Sequence, residues 1–155
     1  MNRRFLLAVI ALTPLTAYAQ TAAQPELPKE RLTIVTKDGQ RHEFNVEMAL
    51  TPDQQTVGLM FRPSVPADGG MLFDWGFPHA SQMWMRNTIA PLDMVFIKPD
   101  GTIDSIAENT VPQSLAEVDS HGPVRATLEL AAGTTAKLDI RVGDQVKQRI
   151  FGNAG

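Results

Sequence analysis

The sequence predicts a mainly β fold, a single compact antiparallel β-sandwich or barrel with one or two short helices. Three observations lead there. Apolar and polar residues alternate with a period of two in several short runs. Gly, Pro and Asp-Gly punctuation separates those runs. Helical periodicity is confined to stubs, too short for the roughly 10–15-residue crossover helices of a parallel α/β fold.

The elements follow in chain order. Residues 20–30 are polar, carry two prolines and have no periodicity, and read as a flexible leader. Leu32, Ile34 and Val35 open a strand, and Phe44, Val46 and Met48 alternate with polar residues in the next. Asp38-Gly39 between them suggests a type I′ hairpin turn. Thr51, Pro52 and Asp53 predict a short helix over 51–60, with a capping hydroxyl, a proline at its first position and an acid at the positive end of its dipole. Strands are expected at Gly70–Phe73, Gln82–Arg86, Leu92–Lys98, Thr102–Val111, Val124–Leu130 and Asp144–Phe151. A second short helix is expected in 133–140, capped by Thr134 or Thr135.

The chain has 155 residues, enough for one domain, expected over 31–152. It has no cysteine, which excludes disulfides, thiolate metal sites and a cysteine nucleophile. Arg3 and Arg4, the apolar run Phe5–Leu12 and the small-x-small site Ala17-Tyr18-Ala19 make residues 1–19 a secretory signal peptide, cut before Gln20. The run is too short for a membrane span. The reading is therefore a periplasmic or secreted domain with no stable membrane span after cleavage. Cleavage removes two arginines and no acid, moving the formal charge from -3 to -5. An acidic domain of this kind does not suit nucleic acid, whose phosphates need a basic surface.

Several ordered runs carry a resemblance. Gly58-Leu59-Met60-Phe61-Arg62, Gly70-Met71-Leu72-Phe73, Met83-Trp84-Met85-Arg86-Asn87-Thr88, Pro91 to Ile97, Ala126 to Gly133 and Gly143-Asp144 together resemble the family called domain of unknown function 192. The likeness covers roughly 31–150. The family usually has an aromatic residue in place of Met83 and often Lys in place of Arg86. The resemblance implies a small, mostly β, frequently exported domain and no established reaction.

Within these runs two acids stand out. Asp93 is the sole charge in a strand apolar on both faces, and Glu129 is a lone carboxylate among apolar neighbours. A buried carboxylate without a partner costs several kcal/mol. Arg86, Asn87, Asp93 and Glu129 are therefore expected to form one polar cluster, with Arg62 as a further donor and Trp84 as the aromatic beside it. The cluster could brace the fold, or form a binding site for a small molecule, glycan or envelope protein. Binding or an accessory role without catalysis is the preferred reading, and no cofactor is implied. Trp75, Phe77 and His79 make the expected loop 74–82 unusually apolar, in keeping with an interaction surface. Two alternatives remain. Asp93 and Glu129 could divide acid and base roles in a glycan hydrolase. Met83 and Met85, with His79, could hold Cu(I), which favours thioether and imidazole ligands.

Overall fold

The computed structural model describes residues 21–155, so the expected signal peptide lies outside the described residues. Seven strands, β1 (Lys29–Val35), β2 (Arg41–Ala49), β3 (Met71–Met83), β4 (Leu92–Ile97), β5 (Ile103–Ala107), β6 (Val118–Ala131) and β7 (Gln145–Lys147), form one sheet. Their spatial order is β5-β4-β6-β3-β2-β1-β7. The two ends of that order meet through a bridge between Thr102 and Gln145, so the sheet curls into a nearly closed barrel. Two helices, α1 (Pro52–Val57) and α2 (Thr134–Lys137), complete the mainly β architecture.

All strand pairs are antiparallel except β2 and β3, which run parallel with Glu47 opposite Met71. The chain returns to the same end of the sheet through α1 and the loop after it, the longer connection that a parallel pair needs.

Period-two alternation sorts the side chains into two apolar layers. Leu32, Ile34, Phe44, Val46, Leu72, Val95, Ile97, Leu128 and Leu130 fill the barrel interior. Met71, Phe73, Leu92, Met94 and Phe96 point out of the barrel instead, where Leu59, Met85 and Ala90 cover them. This explains why β4 is buried at every position: one face looks into the barrel and the other lies under the outer layer.

The hairpin between β1 and β2 closes through a five-residue loop, Thr36 to Gln40, and not a two-residue type I′ turn. Only Gly39 takes a positive φ there, and the Asp38 carboxylate accepts from the Thr36 hydroxyl and the Gln40 amide. α1 carries the expected cap: Thr51 Oγ1 accepts from the Gln54 amide and the Gln54 side chain accepts from the Thr51 amide, a reciprocal box. Residues ahead of β1 lie against the fold, with Gln24 Nε2 donating to the carbonyls of Gln54 and Gly58 and the Leu27 amide to Glu47.

Five expected elements differ from the structure. The strands at Gly70–Phe73 and Gln82–Arg86 are one long strand, β3, which runs through a bulged region between Asp74 and Gln82 and ends at Met83. Trp84 to Pro91 is a loop turned at Asn87, whose φ is 55°. β5 stops at Ala107 because Asn109, at φ 51°, breaks the extended run before Val111. α2 has Gly133 at its N-cap in the left-handed conformation, with no side-chain cap: Thr134 Oγ1 donates back to the Ala131 carbonyl and Thr135 turns to Asp93. The final strand is only β7, because Gln148 uses its side chain to cap the 3₁₀ turn Arg149–Phe151.

Candidate functional site

The pairing of β4 with β6 decides where the two nominated acids go. Asp93 lies opposite Leu130 and Met94 opposite Glu129. Directly opposed residues share a face and successive residues alternate, so Asp93 and Glu129 point to opposite sides of the sheet. The expected single cluster of Arg86, Asn87, Asp93 and Glu129 is not assembled, and neither is a paired acid and base.

Asp93 is fully buried and fully engaged. Its Oδ1 accepts from the amides of Asn109 at 2.9 Å and Gly133 at 3.1 Å. Its Oδ2 accepts from the Thr135 amide and hydroxyl, both at 2.9 Å. One carboxylate thus ties the end of β5 and the start of α2 to β4. Four donors on one anion make a brace and leave no oxygen lone pair conveniently free for a substrate.

Arg62 belongs to another acid. Its guanidinium grips Glu47 with Nη1 at 2.6 Å from Oε1 and Nη2 at 2.9 Å from Oε2. Arg86 is exposed and lies over the Trp84 ring, 5.4 Å from its centroid. Asn87 contributes its backbone carbonyl to the Phe61 amide, and its side chain reaches Met60 Sδ at 3.9 Å.

Glu129 is different. It is 4% exposed, and its carboxyl has no hydrogen bond or ion pair among the described residues. Across the strands stand Met71 on β3 and Met94 on β4. Burial without compensation pushes its carboxyl up from 4.5 to about 8. Glu129 lines a cleft of about 260 Å³ between α1, β3 and the loop after β3. The walls are Val57, Leu59, Met60, Phe73, Trp75, Met83 and Trp84, with Gln55, Thr56, Gln82 and Thr88 among them. Phe73 and Trp75 stack with centroids 5.6 Å apart, and the Trp75 indole N–H donates to Thr127 Oγ1 at 3.2 Å. Gly58 ends α1 here at φ 50°, and a Cβ on it would come within 3.1 Å of the Phe73 ring.

Met83 and Met85 both pack in the outer apolar layer, and His79 lies on the bulged part of β3. Met85 is buried, and its Sδ accepts from the Thr110 hydroxyl at 3.1 Å. Met83 lines the cleft. His79 packs edge-on to Trp75, with Nδ1 3.2 Å from the Phe77 carbonyl oxygen. Among the described residues no group of three or more His, Asp or Glu is placed to hold a metal ion.

Of the expected residues, Glu129 and Trp84 meet at the cleft, with Arg86 over the outer Trp84 ring, while Asp93 and Arg62 are committed elsewhere. Trp75 enters the sequence reading as an interaction-surface aromatic, whereas Met60 and Phe73 lie in apolar runs that read as packing and give no separate signal of the cleft.

Fold and cleft together define a class: a small, nearly closed β-barrel domain with one unpaired acid under an apolar, aromatic-walled opening. The chain belongs to the domain of unknown function 192 family, described as uncharacterized ACR, whose profile matches residues 33–148. It is similar to the crystal structure of a "putative transcription regulator" from Sinorhizobium meliloti 1021, at 44% identity and a TM-score of 0.79, covering 83% of this chain and 99% of that one. It is similar too to a protein of unknown function from Novosphingobium aromaticivorans DSM 12444, at 35% identity and a TM-score of 0.77, covering 89% of this chain and 99% of that one. No curated protein matches the chain.

Proposed function

We propose that this protein is an exported, periplasmic binding module without catalytic activity, and that its ligand occupies the Glu129 cleft. The observation that carries the reading is the Glu129 carboxyl, buried and without a partner at the wall of an apolar opening. Folded proteins satisfy buried polar groups, and a nearly buried carboxyl with no protein partner that opens on a cleft offers an anchor to a molecule that enters it. Apolar walls with a single convergent polar group are the usual make-up of a small-ligand site. Catalysis is not favoured, because the second acid that a hydrolase would need faces the other side of the sheet. The description of the Sinorhizobium relative as a transcription regulator suggests nucleic acid, but 14 basic against 17 acidic residues argue for another kind of partner.

Export rests on the pattern of residues 1–19. No helix among the described residues is long and apolar enough to cross a membrane.

The chain has two tryptophans, and both line the cleft. Intrinsic fluorescence is therefore a direct readout of occupancy. Titration with a panel of small apolar amines, alcohols and amides is expected to change the emission saturably for at least one class. A uniformly flat response across the panel overturns the reading. Mass spectrometry of the secreted protein is expected to find Gln20 at the amino terminus.

A further inference from the structure

We infer that the ligand class is a small organic cation, a primary ammonium on an apolar body, with the ammonium at Glu129 and the body against Trp75, Trp84 and Met60. This rests on the cleft being a binding site and adds to it the charge and shape of what binds.

The first argument is charge. Glu129 is the one ionisable residue lining the cleft. Arg62 is paired with Glu47 and Arg125 with Asp74, and Arg86 lies exposed over the Trp84 ring with no ion pair to Glu129. Among the described residues no cation completes Glu129, which leaves that place to one from outside the chain.

The second argument is the number of polar contacts on offer. The remaining polar side chains of the cleft have their donors committed. Gln55 Nε2 donates to the carbonyls of Ala49 and Asp74, and Thr56 Oγ1 to Pro52. Gln82 Nε2 donates to the Glu117 carboxylate, and Thr88 Oγ1 to the Arg86 backbone carbonyl. A sugar or peptide, with many hydroxyls or amides to satisfy, finds few partners here. A ligand with one polar end and an apolar remainder has fewer groups to satisfy on entering.

The third argument is the wall material. Indole faces attract cations through their quadrupole, and thioethers are polarizable and adapt to an irregular apolar body. The volume of about 260 Å³ accommodates a small amine.

The pH response separates a cation from a neutral guest. The groups that bear on Glu129 are few. Met71 from β3 and Met94 from β4 flank it, α1 lines the cleft with Gln55, Thr56 and Val57, and the loop after β3 carries one charge nearby, Arg86 over the Trp84 wall. The next titratable group in the same row is Glu47, beyond Met71 and neutralised by Arg62. A cation selects the ionised carboxyl, so its binding releases a proton at neutral pH. A neutral guest that accepts from the protonated carboxyl binds more weakly once that proton leaves.

The test compares 2-phenylethylamine with its neutral counterpart 2-phenylethanol on the intact mature protein, by calorimetry and tryptophan emission. The amine, like a lysine side chain with a reference pKa near 10.4, stays protonated through pH 8.5. The amine is expected to bind at least about tenfold more tightly than the alcohol at pH 8.5. Its affinity is expected to rise about tenfold per pH unit between 6 and 7.5, with close to one proton released. Glu129→Gln, checked for an unchanged circular dichroism spectrum, is expected to lose both the preference and the pH slope. Equal or tighter binding of the alcohol overturns the cation and leaves the cleft standing as a binding site. Silence from both, with silence across the wider panel, overturns the cleft as well.

Discussion

Glu47 and Glu129 stand in one row across the outer face of the sheet, with Met71 between them. Two strand spacings separate them, roughly 10 Å. Both are buried, at 5% and 4% exposure, yet only Glu47 has a cation. Arg62 reaches it from the loop after α1, while nothing from α1 or the loop after β3 reaches Glu129. Two acids of similar burial are thus treated in opposite ways by the same layer of covering chain, and each has a measurable consequence.

The folded protein holds a proton on Glu129 that the unfolded chain releases between pH 4.5 and about 8. Stability attributable to this group is complete below 4.5 and falls as pH rises through that window, because the native state binds more protons than the unfolded one. Glu129→Gln removes the penalty. The variant is expected to match the parent near pH 4.5 and to exceed it by several kcal/mol at pH 8. Urea denaturation at both pH values checks this; a difference independent of pH is the contrary result.

Arg62→Ala leaves Glu47 buried with only the Leu27 amide for company. The expected loss is about 3 kcal/mol, the range found when one partner of a buried pair is removed. Adding Glu47→Gln is expected to recover part of that loss. A double-mutant cycle by chemical denaturation reads the coupling, and an uncoupled pair contradicts the assignment.

Asp93→Asn keeps the shape and replaces one oxygen by an amide that faces donors. With three backbone amides and one hydroxyl aimed at that carboxylate, the variant is expected to lose about 2–4 kcal/mol. Amide exchange at Asn109, Gly133 and Thr135 should accelerate together. Binding in the cleft should persist where the variant stays folded, since Asp93 is on the other face.

A Cβ at Gly101 would lie 2.4 Å from the Val146 carbonyl oxygen, and the residue sits at φ 86°. Gly101→Ala is expected to cost at least about 2 kcal/mol and to loosen the hydrogen bond from the Val146 amide to the Gly101 carbonyl, now 2.7 Å. Thermal melting and exchange at Val146 measure the two effects. An unchanged melting temperature would show that the seam tolerates a side chain there.

Much of the fold is legible in the sequence where local physics decides it. The alternation of Phe44, Val46 and Met48, the Thr51-Pro52 helix start and the two-sided apolarity of β4 all reappear in space. Burial of Asp93 and Glu129 is legible for the same reason, since a charge inside an apolar strand has nowhere else to go. Their partners are not. Asn109, Gly133 and Thr135 reach Asp93 across 16, 40 and 42 residues, a distance over which periodicity carries no information. The apolar loop expected over 74–82 divides the stretch into two strands, but bulging against β6 lets β3 pass through it. The parallel pairing of β2 and β3 depends on where the connecting segment packs, and that is decided by the outer layer as a whole.

The seam between Thr102 and Gln145 places the last strand of the chain at the point where the barrel shuts. Until residues 145–147 arrive, β1 and the start of β5 are both bare edges able to recruit a foreign strand. A chain emerging from synthesis amino end first must therefore keep those edges from its neighbours for almost its whole length, and a truncation of only the last dozen residues would leave a sheet prepared to stack on others of its kind.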